Sequence, residues 1–436
     1  MVQHVRSATG RILRRISAGL TSVGSTTSYC EPLFRLGGFR PYHPIRRLAD
    51  ARSILVVRLD ELGDVVLSSP FLRELRRNAS AAWITLVVKP EAYELVEFCP
   101  YVNELLTYDC RAGGRVPQLW RHGRALKLAA THLWRHRYDL AVLPRRETDL
   151  YYGTFITYFS GAPWRVGYSE DVDLNKQRRN SGFDRLLTHA IRGSGVNHAV
   201  ECNLDVLRFL CCQVQDTRTE LWLDEQDERF AKEYLARSGA SGSGPLIAFG
   251  IGASNPRRIW PVERFAEVGS WAVDRHGARV LLLGGGGEEP LGEILQRELG
   301  SGVVNAVGRT TIRQAGSLLK HCALFVGNDS GPMHLAAAVG VPVVEISCHP
   351  QSGSLSSANS PVSFGPWGVP NRILQPSRPI APCTDRCSAR EAHCIRGVGV
   401  ADVQQAITGL LVQTQSHSRG DVSRPLPHFA PDNANA

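Results

Sequence analysis

The chain has 436 residues, 43% of them hydrophobic, which suits two domains of ordinary size with sizeable cores. Lys and Arg (50) exceed Asp and Glu (41), but residues 1–50 hold eight Arg and only two acids, so most of the surplus sits in an N-terminal arm. The nearly balanced body excludes a body-wide nucleic-acid surface. Eleven cysteines, an odd number scattered along the chain, fit reduced cytosolic thiols rather than a disulfide framework.

The arm contains GRILRRISAGL (10–20), where Ile12, Leu13, Ile16 and Leu20 share one helical face beside Arg11, Arg14 and Arg15. Such a segment could lie on an anionic membrane surface; the competing expectation is a disordered or poorly packed leader. No stretch reaches the ~18–20 apolar residues that span a bilayer, and a secretory cleavage pattern is missing.

From residue 53, short apolar runs alternate with longer amphipathic ones. SILVVRL (53–59), AWITLVV (82–88), ELLTY (104–108) and DLAVLP (139–144) read as buried strands, with helices over 71–78 and within 117–136. The polar stretch 169–200 reads as an excursion from the sheet, and 198–214 as a helix. After the Gly/Ser-rich SGASGSGP (238–245) a second series begins, with strands at 245–252, 278–286, 302–308, 323–329 and 341–347. Helices fit at 261–276, 288–299, 311–321 and 331–339. The polar last residues, 413–436, are expected to be disordered. Strand–helix alternation predicts an α/β protein with two doubly wound Rossmann-like domains, 51–225 and 226–412, facing a cleft. Ligands of such sheets bind outside the strand carboxyl ends.

Four strand-to-helix turns carry the chemistry. In ILVVRLDELGDVVLSSP (54–70), Asp60, Glu61 and Asp64 stand at the end of a buried strand. Three carboxylates in five residues perturb one another, so Asp60 and Glu61 rival Asp64 as the working group. Gly63 lets the backbone approach a substrate, and Pro70 implies a kink or a late helix start. In VGNDSGPMHLAAAVG (326–340), Asp329 or Ser330 can cap a helix whose free N–H groups favour an anion. Gly331 permits close approach there, and His334 lies one turn in. In GIGASNPRRIWPVERF (250–265), Ser254 and the pair Arg257/Arg258 sit at the same edge, where two guanidiniums can clamp a diphosphate. In LLLGGGGEEP (281–290), Glu288 or Glu289 could accept ribose hydroxyls. The glycine spacing there is not the dinucleotide fingerprint, which weakens a hydride-transfer reading.

RLDELGDVVLSSPFLRELR (58–76), GASNPRRIWPVERF (252–265), LLGGGGEE (282–289), the block 307–342 and PCTDRCSAREAHCI (382–395) together resemble glycosyltransferase family nine, the ADP-heptose:lipopolysaccharide heptosyltransferases. The resemblance implies the B-type glycosyltransferase fold and an inverting, metal-independent transfer without cofactor. The donor it implies is a nucleotide sugar, ADP-linked, and the acceptor a lipid-linked saccharide at the cytoplasmic face of the inner membrane. Nucleic acid has no place in it. Carried over, Asp64 is the general base, with Arg58 and Gly63 on the acceptor side. Arg258 holds the diphosphate where many members have Lys. Glu288 meets the ribose, and Ser254, Asp329, Ser330, Gly331 and His334 complete the donor site. Asp60 and Glu61 replace small hydroxyl residues of many heptosyltransferases, which leaves the acceptor open. The rival readings are a nucleotide-sugar epimerase or hydrolase on this fold, and a non-catalytic nucleotide-binding partner subunit.

Cys383, Cys387 and Cys394 form the one dense thiol group. With His393 they could bind zinc, but the spacing is not a standard zinc pattern, and free thiols with no metal are expected.

Overall fold

The computed structural model describes residues 17–39, 48–111, 116–193, 195–238, 244–357 and 359–419. The first sheet holds β1 (Ser53–Arg58), β2 (Trp83–Val88), β3 (Glu104–Thr107), β4 (Leu140–Leu143), β5 (Trp164–Tyr168) and β6 (His189–Ile191). Its order is β3-β2-β1-β4-β5-β6. The second holds β7 (Leu246–Gly250), β8 (Arg279–Leu283), β9 (Val303–Asn305), β10 (Leu324–Asn328), β11 (Val343–Ile346) and β12 (Asn371–Leu374), in the order β12-β11-β10-β7-β8-β9.

Every ladder is parallel. Helices cover both faces, so β1, β7 and β10 are buried along their whole length, and SILVVR needs no polar alternation. Each sheet reverses its winding once, between β1 and β4 and between β7 and β10. That reversal opens a crevice at the strand carboxyl ends, where a ligand fits.

β1 leads into two helices rather than one, Leu62–Val66 and Ser69–Asn78, with Pro70 in the first turn of the second. Proline is accepted there because that N–H has no intrahelical partner. Val65, Val66, Phe71, Leu72 and Leu75 go into a core that continues across the cleft to Met333, Leu335 and Ala336.

The structure corrects two expectations. The stretch 169–200 is not wholly an excursion: it supplies the helix Leu174–Arg179 and then the edge strand β6. Beyond GRILRRISAGL the arm also forms the helix Val23–Leu36, which buries Thr26, Cys30 and Phe34, with the Phe34 ring against Tyr158 at 5.7 Å. Most of GRILRRISAGL lies outside the described residues. The last helix, Val400–Arg419, passes the boundary placed at 412 and packs on the second sheet, while 420–436 lie outside the described residues. No helix among the described residues is long and apolar enough to cross a membrane.

Candidate active site

The loops after β1 and β4 and those after β7 and β10 flank the two reversals, and the first pair faces the second. The short helix Leu62–Val66 packs directly on the helix Gly331–Ala338. Contact is closest at Gly63, where an added Cβ would lie 2.5 Å from Cδ2 of His334. A side chain at this position would force the domains apart, which gives Gly63 a physical reason.

The three acids after β1 divide. Asp60 is buried between two guanidiniums, Arg58 at 2.9 Å and Arg145. Glu61 projects outward and takes Lys89 Nζ at 2.7 Å and the Tyr151 hydroxyl at 2.8 Å. Burial works against its charge, but these two donors hold its carboxyl below the ordinary value. Asp64, half-buried, makes no side-chain hydrogen bond or ion pair among the described residues. Burial pushes its carboxyl up to about 6, opposed by Arg58 and assisted by Glu147, Glu61 and Asp329. Of the rivals, Asp64 alone is left open and basic near neutral pH.

On the opposite wall, Ser330 stands before the helix Gly331–Ala338 without capping it; its Oγ donates to the Asn328 carbonyl at 3.2 Å. Pro332 carries no N–H and Met333 N donates to the Ser330 carbonyl at 3.1 Å, so the Gly331 N–H is the donor that this helix start offers a ligand. Arg258 reaches Asp329 at 3.4 Å. Asn328, buried, accepts from Trp260 N at 3.0 Å and donates to the Ile251 carbonyl at 3.0 Å, tying the β7 and β10 loops together.

The family model described as glycosyltransferase family 9 (heptosyltransferase) matches residues 127–392. The chain belongs to that family. It is a glycosyltransferase, with the two facing Rossmann-like sheets of the B-type fold. Lipooligosaccharide heptosyltransferase 2 of Haemophilus influenzae is 25% identical over 302 residues, covering 67% of this chain and 82% of the relative. A family 9 glycosyltransferase from Veillonella parvula superposes with a TM-score of 0.69 at 22% identity, covering 85% of this chain and 100% of the other. The Escherichia coli ADP-heptose lipopolysaccharide heptosyltransferase II does so with 0.61 at 21%, covering 83% and 99%.

In this family 9 glycosyltransferase, the remaining sequence-predicted residues fall as follows. Glu288, not Glu289, lies over the β7 and β8 turns: an added Cβ at Gly252 would meet its carboxylate at 2.5 Å. Glu289 turns instead to Gly308. Ser254 is exposed on the β7 loop. His334 is buried, and burial, with His198 and Arg258 nearby, lowers its ring to about 3, so it stays neutral. Its Nδ1 has no hydrogen-bond partner among the described residues. Arg58 is 3% exposed and donates to the Asp64 carbonyl at 3.1 Å. It therefore braces the loop under Asp64 rather than opening to the cleft.

Sequence reasoning missed four groups. Arg145 and Glu147 follow β4 directly, in PRRETD, and both act on the β1 turn. Lys176 is buried beneath them, donates to the Arg146 carbonyl at 3.0 Å, and is lowered by burial to about 8. Their signal was a run of charge at a strand carboxyl end beside the reversal. Glu345, on β11, is also buried; burial and Asp329 raise its carboxyl, and Oε2 has no hydrogen bond among the described residues.

Proposed function

We propose that the protein is an inverting, metal-independent transferase that moves a heptose or a related sugar from an ADP-sugar to a lipopolysaccharide-type or other lipid-linked saccharide. The observation that carries this reading is the unpaired Asp64 carboxylate, raised to about 6, on the short helix that packs against the helix Gly331–Ala338. Asp64 takes the proton of the acceptor hydroxyl as its oxygen attacks the anomeric carbon. The bond from that carbon to the diphosphate breaks, and its electron pair leaves with the phosphate. One displacement on the opposite face inverts the centre. Arg258, the Gly331 N–H and the helix dipole stabilise the departing charge, Glu288 accepts the ribose hydroxyls, and Ser254, Ser330, Gly331 and neutral His334 shape the donor pocket.

Residues 51–225 hold the acceptor in this reading and residues 226–412 the donor. The heptose and ADP assignments draw on what the relatives are named for. The arm, with Leu20, Leu33 and Leu36 exposed beside Arg35, meets the membrane that carries the acceptor. The protein would then work at the cytoplasmic face of the inner membrane. The deciding experiment is a calorimetric titration with ADP, UDP and GDP without added metal, followed by transfer assays on a heptose-deficient lipopolysaccharide acceptor. Selective ADP binding is expected. Tight UDP or GDP binding overturns the heptose donor and keeps the transferase. Free sugar or an epimer as sole product overturns transfer itself.

A further inference from the structure

The thiols expected to be free come together. Cys383, Cys387, His393 and Cys394 place one donor atom each, all within 4.8 Å of one another. The Nδ1 of His393 lies 3.7 Å from Cys383 Sγ and 3.5 Å from Cys394 Sγ. A tetrahedral zinc with the usual Zn–S and Zn–N lengths separates sulfur from nitrogen by about 3.6 Å. No disulfide links these cysteines, and all three are buried.

Two backbone N–H groups already point at the sulfurs. Ser388 N donates to Cys383 Sγ at 3.5 Å, and Ile380 N to Cys394 Sγ at 3.4 Å. Such N–H donors offset thiolate charge and fix the direction of the ligands, as outer partners do around metal sites.

The position also calls for a fastener. The chain from β12 to the helix Val400–Arg419 contains only the single tight turn Cys394–Gly397 as regular structure. An irregular connection of that length inside a compact domain needs something to hold it. Its cysteines nevertheless sit in the apolar cluster with Cys348, Ile395 and Val398.

We propose that Cys383, Cys387, Cys394 and His393 bind one thiophilic divalent cation, zinc by the character of the donor set, as a structural clasp. The three thiols give up their protons on binding, and the imidazole binds neutral. A closed four-ligand set of this kind holds structure and leaves no position for substrate. The clasp lies behind the donor wall. The Val398 carbonyl accepts from Trp260 Nε1 at 3.2 Å and from Arg264 at 2.7 Å, and the Asp385 carbonyl accepts from Ser354 N at 2.9 Å. Trp260 is two residues from Arg258, so a loosened loop would loosen the diphosphate clamp. The inference does not depend on which sugar is transferred.

The test is elemental analysis of the full chain, purified without a polyhistidine tag, together with cobalt titration of chelator-treated protein. About one zinc per chain is expected, as is a thiolate-to-cobalt charge-transfer band that saturates at about one equivalent. Iron at the same stoichiometry, lost with the same ligands, keeps the site and changes the ion. Cys387→Ser should lose the metal and melt lower; should it fail to fold, His393→Cys provides the second measurement. That variant should retain metal with an altered cobalt spectrum, which a packing role would not produce. A folded, metal-free chain that gives no charge-transfer band with cobalt overturns the proposal, as does a disulfide between two of the three cysteines.

Discussion

The turn after β1 and the turn after β10 each flank the reversal of their own sheet, and each puts a carboxylate at the cleft. They treat it differently. Asp64 is left without a partner, while Asp329 faces Arg258 at 3.4 Å. Burial raises both and a guanidinium opposes it in each case, but only Arg258 reaches its acid's carboxylate; Arg58 bonds the Asp64 backbone carbonyl instead. A group that must accept a proton is best held near the working pH with its lone pairs open. A group that holds a cation in place until an anion arrives is best paired. In the proposed mechanism the two reversals therefore supply a base on one wall and a counter-ion on the other.

The largest effect should come from removing that base. Asp64→Asn should lower turnover by about 10²–10⁴-fold while donor affinity stays near wild type. In the wild type, kcat/KM should fall about tenfold per pH unit below about 6, as the carboxylate protonates. Stability moves the other way. The folded value lies above the ordinary one, so Asp64 favours the fold fully at low pH, and that contribution is lost as pH rises through about 6. Asp64→Asn should therefore melt higher than wild type at pH 7.5. A variant that turns over normally breaks the contrast between the two walls.

Arg258→Ala comes next. It removes the cation that pairs with Asp329 and, in the proposed mechanism, holds the diphosphate, and should weaken nucleotide binding by roughly 10–100-fold, read by calorimetry. If affinity is unchanged while turnover falls, the guanidinium serves only the transition state.

Gly63→Ala should be milder. The methyl would press on His334 at 2.5 Å, so the walls must part slightly. A stability loss of about 1–3 kcal/mol by denaturant titration and a fall in kcat of about tenfold are expected. An unchanged rate would mean that the walls need not touch there during catalysis.

Much of this arrangement was legible in the sequence because buried parallel strands leave uninterrupted apolar runs. ILVV, LIAF and ALFV are bounded by charge or glycine, and β1, β7 and β10 lie where those runs lie. β5, β6 and β12 were not legible: WRVGY and NRIL carry arginine, HAI is three residues long, and β6 and β12 are half-exposed edge strands. The helix Glu225–Arg237 was hidden by its own polarity, although Asp224 and Asp227 form a capping box that announces its start. Within the site, the sequence narrowed the acids after β1 to three. Choosing among them needed Arg145, Lys89 and Tyr151, which come from other strands' loops. The approach of Gly63 to His334 joins two domains, and no local pattern encodes a contact at that separation.

If Arg258 holds the diphosphate as proposed, its pairing with Asp329 links sugar-nucleotide binding to solvent protons. Arg258 lowers the proton affinity of both Asp329 and buried Glu345. When a diphosphate draws the guanidinium away, two acids in a dry pocket lose their counter-charge with a new anion beside them. They should take up a proton as the nucleotide enters and return it as the product leaves. Donor affinity then weakens as pH rises, and the binding heat varies with the ionisation enthalpy of the buffer. Proton uptake would thus be an intrinsic part of loading the enzyme, separate from the proton that Asp64 removes from the acceptor.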